Sequence, residues 1–168
     1  MLELAILLIF PAMMAFAAAS DLFTMTISNR VSIILTLAFL VLAVASGMAW
    51  ATIGLHLAAG FLVLAIGFVC FALGWIGGGD AKLAAATALW LGWAQLLDYA
   101  IYASLIGGVL TLALLSLRRA PLHPAFLMRE GWYARITDEK TGIPYGIALA
   151  AAGLLLYPSS FWMTRALH

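Results

Sequence analysis

The sequence contains very few charged residues. Only 9% of its 168 residues are Asp, Glu, Lys or Arg, whereas 66% are hydrophobic, and soluble domains carry roughly 25% charged residues. So low a charged fraction excludes an ordinary water-soluble domain and predicts a polytopic membrane protein. The formal net charge of +1 gives no reason to expect a nucleic acid or a strongly acidic partner.

Cysteine and N-terminal basic residues are also scarce. Cys70 is the single cysteine, which excludes an intramolecular disulfide and a thiolate zinc site. The first three residues, Met-Leu-Glu, lack the Lys or Arg that opens a secretory signal peptide. We therefore expect the apolar run that follows to be retained as a membrane span.

Five intervals of 15 or more residues lack Lys, Arg, Asp and Glu. These intervals predict the membrane spans, because a charged side chain costs roughly 2.5 to 3.5 kcal/mol at the centre of a membrane helix. They are Leu4–Ser20, Val31–Gly79, Leu83–Leu97, Tyr99–Leu117 and Thr141–Thr164. The second interval has 49 residues and would form a helix of about 74 Å, against about 30 Å of hydrocarbon. It must hold two spans, with a turn near 46-SGMAW-50. The sequence therefore predicts an all-α fold, a single domain over 1–168 with a bundle of six transmembrane helices.

The basic residues predict the orientation of these spans. Segment 118–142 holds five of the eight Lys and Arg residues, and basic loops face the cytoplasm. With six spans, the turns that carry Arg30 and Lys82 face the same side, so that seven of the eight basic residues lie inside. We therefore expect a multi-pass protein of a plasma membrane, with a cytoplasmic loop at about 118–142.

Two acids fall on the cytoplasmic side of this arrangement. Asp21 directly follows the first span, and Asp80 directly precedes the fourth, in its first turn at the membrane edge. Two carboxylates that share a site cannot both ionise cheaply, so one keeps a proton. One carboxylate could then activate a water while its protonated partner polarises a carbonyl, and this chemistry requires no metal or other cofactor. Either acid could instead be a solvated helix cap.

The residues around these acids suggest supporting roles. The run Gly77, Gly78 and Gly79 would let backbone approach an extended substrate, and Gly74 with Gly78 forms a small-xxx-small pair for close helix packing. Two polar residues are further candidates. Lys82 is expected to be an interfacial anchor that tunes the local potential, and Asn29 either caps the second span or supports the site.

These residues resemble the prepilin peptidase family. Gly77-Gly78-Gly79-Asp80 fits the family's GxGD signature, and 20-SDLFTMTISNRVS-32 is similar to its first Asp-containing segment. The last span, 143-IPYGIALAAAGLLL-156, resembles the closing helix of the short members that process Flp-type, or tight-adherence, pilins. The likeness therefore extends through most of the chain.

The resemblance implies a membrane-embedded aspartic endopeptidase of the bacterial inner membrane. It would remove the basic leader of type IV prepilin-like precursors at the cytoplasmic face, in association with the pilus-assembly machinery. Asp21 and Asp80 match the two catalytic positions. Larger members of the family also methylate the new N-terminus and carry a cysteine-rich cytoplasmic domain, which this chain lacks, so methyl transfer is not expected.

Two other functions fit the same pattern. A small proton-coupled transporter or channel could relay protons through Asp21 and Asp80, and a noncatalytic membrane protein could serve pilus assembly. The remaining polar residues predict structural roles. His56 is expected to be a hydrogen-bonded core histidine, Asp98 to mark a helix end on the outer side, and His123 to lie in a loop. The stretch 125–136 has the pattern of a short amphipathic helix.

Overall fold

The regular structure is helical throughout the part of the chain that the computed structural model describes, which comprises residues 2–119, 130–138 and 141–167. This confirms the all-α prediction. The α-helices are α1 (Leu2–Thr24), α2 (Asn29–Ala45), α3 (Trp50–Ala72), α4 (Gly78–Leu91), α5 (Leu96–Arg118), α6 (Gly131–Thr137), α7 (Tyr145–Leu156) and α8 (Phe161–Leu167). Short 3-10 turns at Trp93–Gln95 and Tyr157–Ser159 precede α5 and follow α7.

The helices follow the charge-free intervals of the sequence. The long interval is divided between α2 and α3, and the turn lies at 46–49 as predicted, with Gly47 at φ 70°. Among the described residues, four helical segments are long and apolar enough to cross a membrane, and they are Leu2–Thr24, Trp50–Ala72, Trp93–Arg118 and Tyr145–Arg165. The chain is therefore a multi-pass membrane protein. Because α2 has 17 residues and α4 has 14, the predicted count of six spans is not confirmed.

Helices α3 and α4 form a closely packed antiparallel pair. A Cβ added to Gly60 would lie 3.0 Å from Cβ of Leu89, and one added to Gly67 would lie 3.0 Å from Cβ of Ala81. These two glycines, one heptad apart, let the backbones approach. The predicted pair of Gly74 and Gly78 was wrong: Gly74 has φ +75° in the turn after α3, with nothing within 4 Å of an added Cβ.

The core surrounds α4, whose last two turns are buried. Two tryptophan side chains link α4 to neighbouring helices by hydrogen bonds to backbone carbonyl oxygens. The indole N–H of Trp90 donates to Leu35 O of α2 at 2.9 Å, and the indole N–H of Trp162 donates to Trp90 O at 2.9 Å. Each bond satisfies a buried polar atom inside an apolar layer. These contacts fix the C-terminal half of α4. The N-terminal turn of α4, which carries Asp80, lies at the opposite end of the bundle.

His56 lies in the core and Asp98 lies at a helix end, as predicted, whereas the predicted outer side for Asp98 is untested. His56 is buried, and its Nδ1 is 2.8 Å from Leu89 O. Asp98 lies in the first turn of α5, where an acid is favoured by the helix dipole. Both residues lie near the C-terminal end of α4, away from Asp80.

We expect Gly92→Ala to destabilise the fold more than Gly47→Ala. Both glycines have positive φ, +76° and +70°, and Gly92 also has ψ −177°, a conformation that is essentially restricted to glycine, so backbone strain costs about 1 kcal/mol at Gly47 and about 1–3 kcal/mol at Gly92. At Gly92 the new Cβ would also lie 2.6 Å from the ring of His56, whereas nothing lies within 4 Å at Gly47. Overpacking adds about 1–3 kcal/mol. Thermal unfolding in detergent would measure the difference, and equal losses for the two variants would contradict this packing.

Candidate active site

Asp21 is buried inside α1, close to its C-terminal end. The helix continues to Thr24, so Asp21 lies in its last turn and does not follow it, as the charge-free interval had suggested. The side chain is only 5% exposed, and its Oδ2 accepts a hydrogen bond from the backbone N–H of Gly146 at 2.7 Å. Gly146 is in the first turn of α7, where N–H groups have no partner within the helix. Asp21 therefore binds the N-terminal end of another helix.

Asp80 lies in the first turn of α4, as predicted. Gly77 is the N-cap residue, and Oδ2 of Asp80 accepts a hydrogen bond from the Gly77 N–H at 3.2 Å. A carboxylate at this position also interacts favourably with the positive end of the helix dipole. Both carboxylates are thus held at helix N-terminal ends, one by α7 and the other by α4.

Ile27, in the loop between α1 and α2, packs against two glycines that adjoin the acids. A Cβ added to Gly79, the residue before Asp80, would lie 3.1 Å from Cβ of Ile27. A Cβ added to Gly146 would lie 2.6 Å from Cδ1 of Ile27 and 2.8 Å from Oδ2 of Asp21. The two acids therefore lie at the same end of the bundle, each next to a glycine that contacts Ile27.

The two carboxyl groups are also close enough to interact electrostatically. The pKa of Asp80 is raised from 3.8 to about 6, first by burial and then by the negative charge of Asp21, while the N–H of Gly77 lowers it. Two like charges in one partly buried site disfavour full ionisation. The arrangement therefore allows one carboxyl group to hold a proton while the other is ionised.

Side-chain hydrogen bonds hold the loop that carries Ile27. Ser20 Oγ donates to Thr26 O at 2.9 Å, and Arg135 of α6 donates to Phe23 O at 2.5 Å. Met25 has a positive φ of 54°, a conformation that is uncommon for residues other than glycine. Thr26 and Ser28 lie in this loop. The loop is thus fixed against the end of α1.

Lys82 of α4 and Asn29 of α2 form a hydrogen bond between these two helices. The Lys82 ammonium donates to Oδ1 of Asn29 at 2.8 Å. The suggestion that Asn29 caps α2 was wrong, because Ser28 is the N-cap residue and its hydroxyl accepts from the N–H of Arg30. Asn29 instead links the start of α2 to α4 through Lys82. Lys82 follows Asp80 by two residues in the sequence.

The three glycines before Asp80 contact the protein's own chain. Gly77 adjoins the carboxylate of Asp80, Gly78 faces the ring of Phe71, which lies 3.4 Å from a Cβ added at this position, and Gly79 faces Ile27. Their predicted contact with a substrate strand is untested. Ile27 and Gly146 were not identified as site residues from the sequence, although the Pro-Tyr-Gly start of the last span was noted.

The described part of segment 118–142 packs on the same end of the bundle. Arg118 donates to Ile136 O and to Gly142 O, both at 2.8 Å. Helix α6 forms the end of the predicted amphipathic stretch, whereas His123 and the rest of that stretch, 125–129, lie outside the described residues. Arg135 of this segment contacts the end of α1 that carries Asp21, through its hydrogen bond to Phe23 O. It was not identified as a site residue from the sequence.

A sequence model described as the type IV leader peptidase family matches residues 8–112. The matched region covers both Asp21 and Asp80 and ends before α6 and α7. No curated protein and no solved structure matches the chain significantly.

Proposed function

The chain belongs to the type IV leader peptidase family and is therefore a peptidase, and from this we propose that Asp21 and Asp80 are its catalytic dyad. In this proposal the protein is a membrane-embedded aspartic endopeptidase that removes the basic leader of prepilin-like precursors, of the Flp type, at the cytoplasmic face of a bacterial inner membrane. The observation that carries the proposal is that the two acids, from separate helices, each adjoin a glycine that packs against Ile27 and are close enough to interact electrostatically.

The reaction uses the two carboxyl groups in different protonation states. In the reactive form Asp80 is protonated and donates a hydrogen bond to the scissile carbonyl, and its pKa, raised to about 6 by burial and by the charge of Asp21, makes this form accessible near neutral pH. Asp21, ionised, takes a proton from a water whose oxygen forms the new bond to the carbonyl carbon. The C–N bond then breaks, and the leaving amine takes a proton from the dyad. No covalent intermediate with the protein is formed.

The assignment to the cytoplasmic face rests on charge. Lys82 lies beside Asp80 in sequence, Arg135 hydrogen-bonds the end of α1, and Arg118 bonds to the segment that precedes α7. These basic residues therefore surround the end of the bundle that holds both acids. Basic residues concentrate on the cytoplasmic side of membrane proteins.

Co-expression with a small pilin-like precursor that has a basic leader tests the proposal. We expect the mass of the product to show loss of the leader without an added methyl group, and we expect cleavage to survive strong chelation, because the dyad itself activates the water. Unchanged precursor would favour a noncatalytic role in pilus assembly. Cleavage that is lost on chelation and restored by a divalent metal would contradict the proposed mechanism.

A further inference from the structure

A cavity of about 530 Å³ lies between α2, α3 and α4, and we call it the α2–α4 groove. Helices α2 and α3 each pack against α4, whose small residues Ala85 and Ala86 line the groove. Lys82 also lines it, but Asp80 precedes Lys82 by two residues and so faces about 200° away around the helix. Neither acid lines the groove, which is therefore distinct from the candidate active site.

The long side of the α2–α4 groove is open to the bilayer. Phe61 lines it from α3 and is 74% exposed, and Ile33 lines it from α2 and is 56% exposed. Helix α3 is long and apolar enough to cross a membrane, so apolar side chains exposed along it are in contact with lipid chains. A hydrocarbon chain can therefore enter the groove from the side.

The unsatisfied polar groups of the groove lie toward one end. The Lys82 ammonium donates to Oδ1 of Asn29 at 2.8 Å, and both side chains have further N–H groups beyond this bond. Ser32, one turn further along α2, has a buried hydroxyl that finds no hydrogen-bond partner in the part of the chain that the structure describes. The hydroxyl of Thr36, deeper in the groove, already donates to Ser32 O at 2.8 Å. A ligand with acceptor oxygens at one end and hydrocarbon at the other would match this arrangement.

Arg30 adds a second positive charge near the polar end. It precedes Ile33 by three residues on α2, so the two are neighbours on the surface of the helix, and its side chain is exposed. Basic pockets between membrane helices on the cytoplasmic side are typical sites for anionic lipid headgroups. The charge of this end therefore favours a phosphate.

The register of the helices places the polar end below the end of α3. Gly67 of α3 faces Ala81 of the antiparallel α4, so Lys82 is level with Ile66, about 9 Å before α3 ends at 1.5 Å per residue. Helix α2 has only 17 residues, about 26 Å, against about 30 Å of hydrocarbon. A span this short draws lipid headgroups inward at its end, which brings their phosphates to the polar end of the groove.

We propose that the α2–α4 groove binds one anionic phospholipid, whose phosphate is held by Lys82 and Arg30 and one of whose acyl chains lies along the apolar wall of α3. The bound lipid fills the space between α2 and α3 and holds the first turn of α2 beside α4. This site does not depend on the proposed peptidase mechanism, because it follows from the groove and from the membrane position of the helices.

Native mass spectrometry of retained lipid tests the headgroup. From detergent micelles with equal amounts of phosphatidylglycerol and phosphatidylcholine, the purified protein should retain one phosphatidylglycerol. Lys82→Gln and Arg30→Gln should each weaken this selectivity by about fivefold, the effect of one basic residue near an anionic surface.

Arg119→Gln is the matched control for these variants. Arg119 is also basic and exposed, directly after α5, but does not line the groove, so its lipid selectivity should equal that of the unchanged protein. Equal retention of the two lipids by the unchanged protein, or an equal loss of selectivity in all three variants, would overturn the proposal.

Filling the groove tests the acyl chain. Thr36→Phe places a large side chain in the groove and should lower retention of phosphatidylglycerol by about tenfold, whereas Thr36→Val removes the hydroxyl at nearly constant size and should not. Glycerol phosphate, which has the headgroup chemistry without acyl chains, should not displace the lipid from the unchanged protein, and this measurement does not depend on the folding of any variant. Displacement by glycerol phosphate, or full retention in a folded Thr36→Phe, would indicate surface charge attraction alone and refute the groove site.

The lipid site and the catalytic dyad are tested by separate measurements. Asp80→Asn should retain phosphatidylglycerol as the unchanged protein does, because Asp80 faces away from the groove, and its cleavage activity bears on the dyad alone. A pilin-like precursor that displaces the bound lipid would identify the groove as a peptide site and contradict the lipid assignment, whether or not the dyad is catalytic.

Discussion

Replacing either acid with its amide is expected to reduce precursor cleavage by at least about a thousandfold, within the range of general acid–base effects. In Asp21→Asn and Asp80→Asn the side chain keeps its shape, but the amide neither takes a proton from water nor gives one to the leaving amine. Single-turnover leader loss, measured on purified protein, would show the effect. An asparagine at position 21 can still accept the hydrogen bond from Gly146, so the variant should fold.

Asp98→Asn is the matched control for these variants. Asp98 is also an acid in the first turn of a helix, but α5 begins near the C-terminal end of α4, away from Asp80. We expect its cleavage rate to equal that of the unchanged protein. Wild-type cleavage by Asp21→Asn or Asp80→Asn, in protein that inserts and purifies normally, would refute the dyad.

Gly146→Ala is expected to disable the site without removing either acid. The added Cβ would lie 2.8 Å from Oδ2 of Asp21 and 2.6 Å from Cδ1 of Ile27, so at least one of these side chains must move. A displacement of about 1 Å at a reacting group can cost about a hundredfold in rate, and we expect kcat to fall by about this factor. Cleavage rates and thermal unfolding should be measured together, because overpacking also costs about 1–3 kcal/mol of stability.

Gly142→Ala provides the control for this substitution. It lies four residues earlier in the same segment, and nothing lies within 4 Å of an added Cβ, so neither cleavage nor stability should change greatly. Adding Ile27→Ala to Gly146→Ala removes one of the two overlaps and should restore part of the lost stability. Full activity of Gly146→Ala would show that Asp21 does not need its present position.

The sequence was sufficient to predict most of the helical segments and the position of Asp80 in the first turn of a helix. Charge is so rare in this chain that each charge-free interval predicts a helix, and the length of Val31–Gly79 required a turn where the structure has one. Asp80 could be placed correctly because a glycine run before an acid predicts a helix start. Patterns within a short stretch of sequence were therefore sufficient to predict these helices and the helix start at Asp80.

Contacts between distant segments could not be predicted in the same way. The hydrogen bond from Gly146 to Asp21 joins residues 125 positions apart, and no local pattern indicates it. The position of Asp21 was misjudged by one turn, because a charged residue ends an apolar interval but need not end a helix, particularly when another helix supplies a hydrogen-bond donor. Ile27 looked like an ordinary apolar loop residue, and only its packing against two glycines that adjoin the acids shows its place in the site.

The hydrogen bond between Asp21 and Gly146 also indicates how much of the chain the site needs. Residues 8–112 match the family and include both acids, but Gly146 and Arg135, which hold Asp21 and the end of α1, lie beyond that region. A protein truncated after α5 would retain each carboxylate yet lose the anchor of one of them. The C-terminal third of the chain is therefore a structural requirement of the site, and fragments divided within segment 120–129 should regain activity only when they are combined.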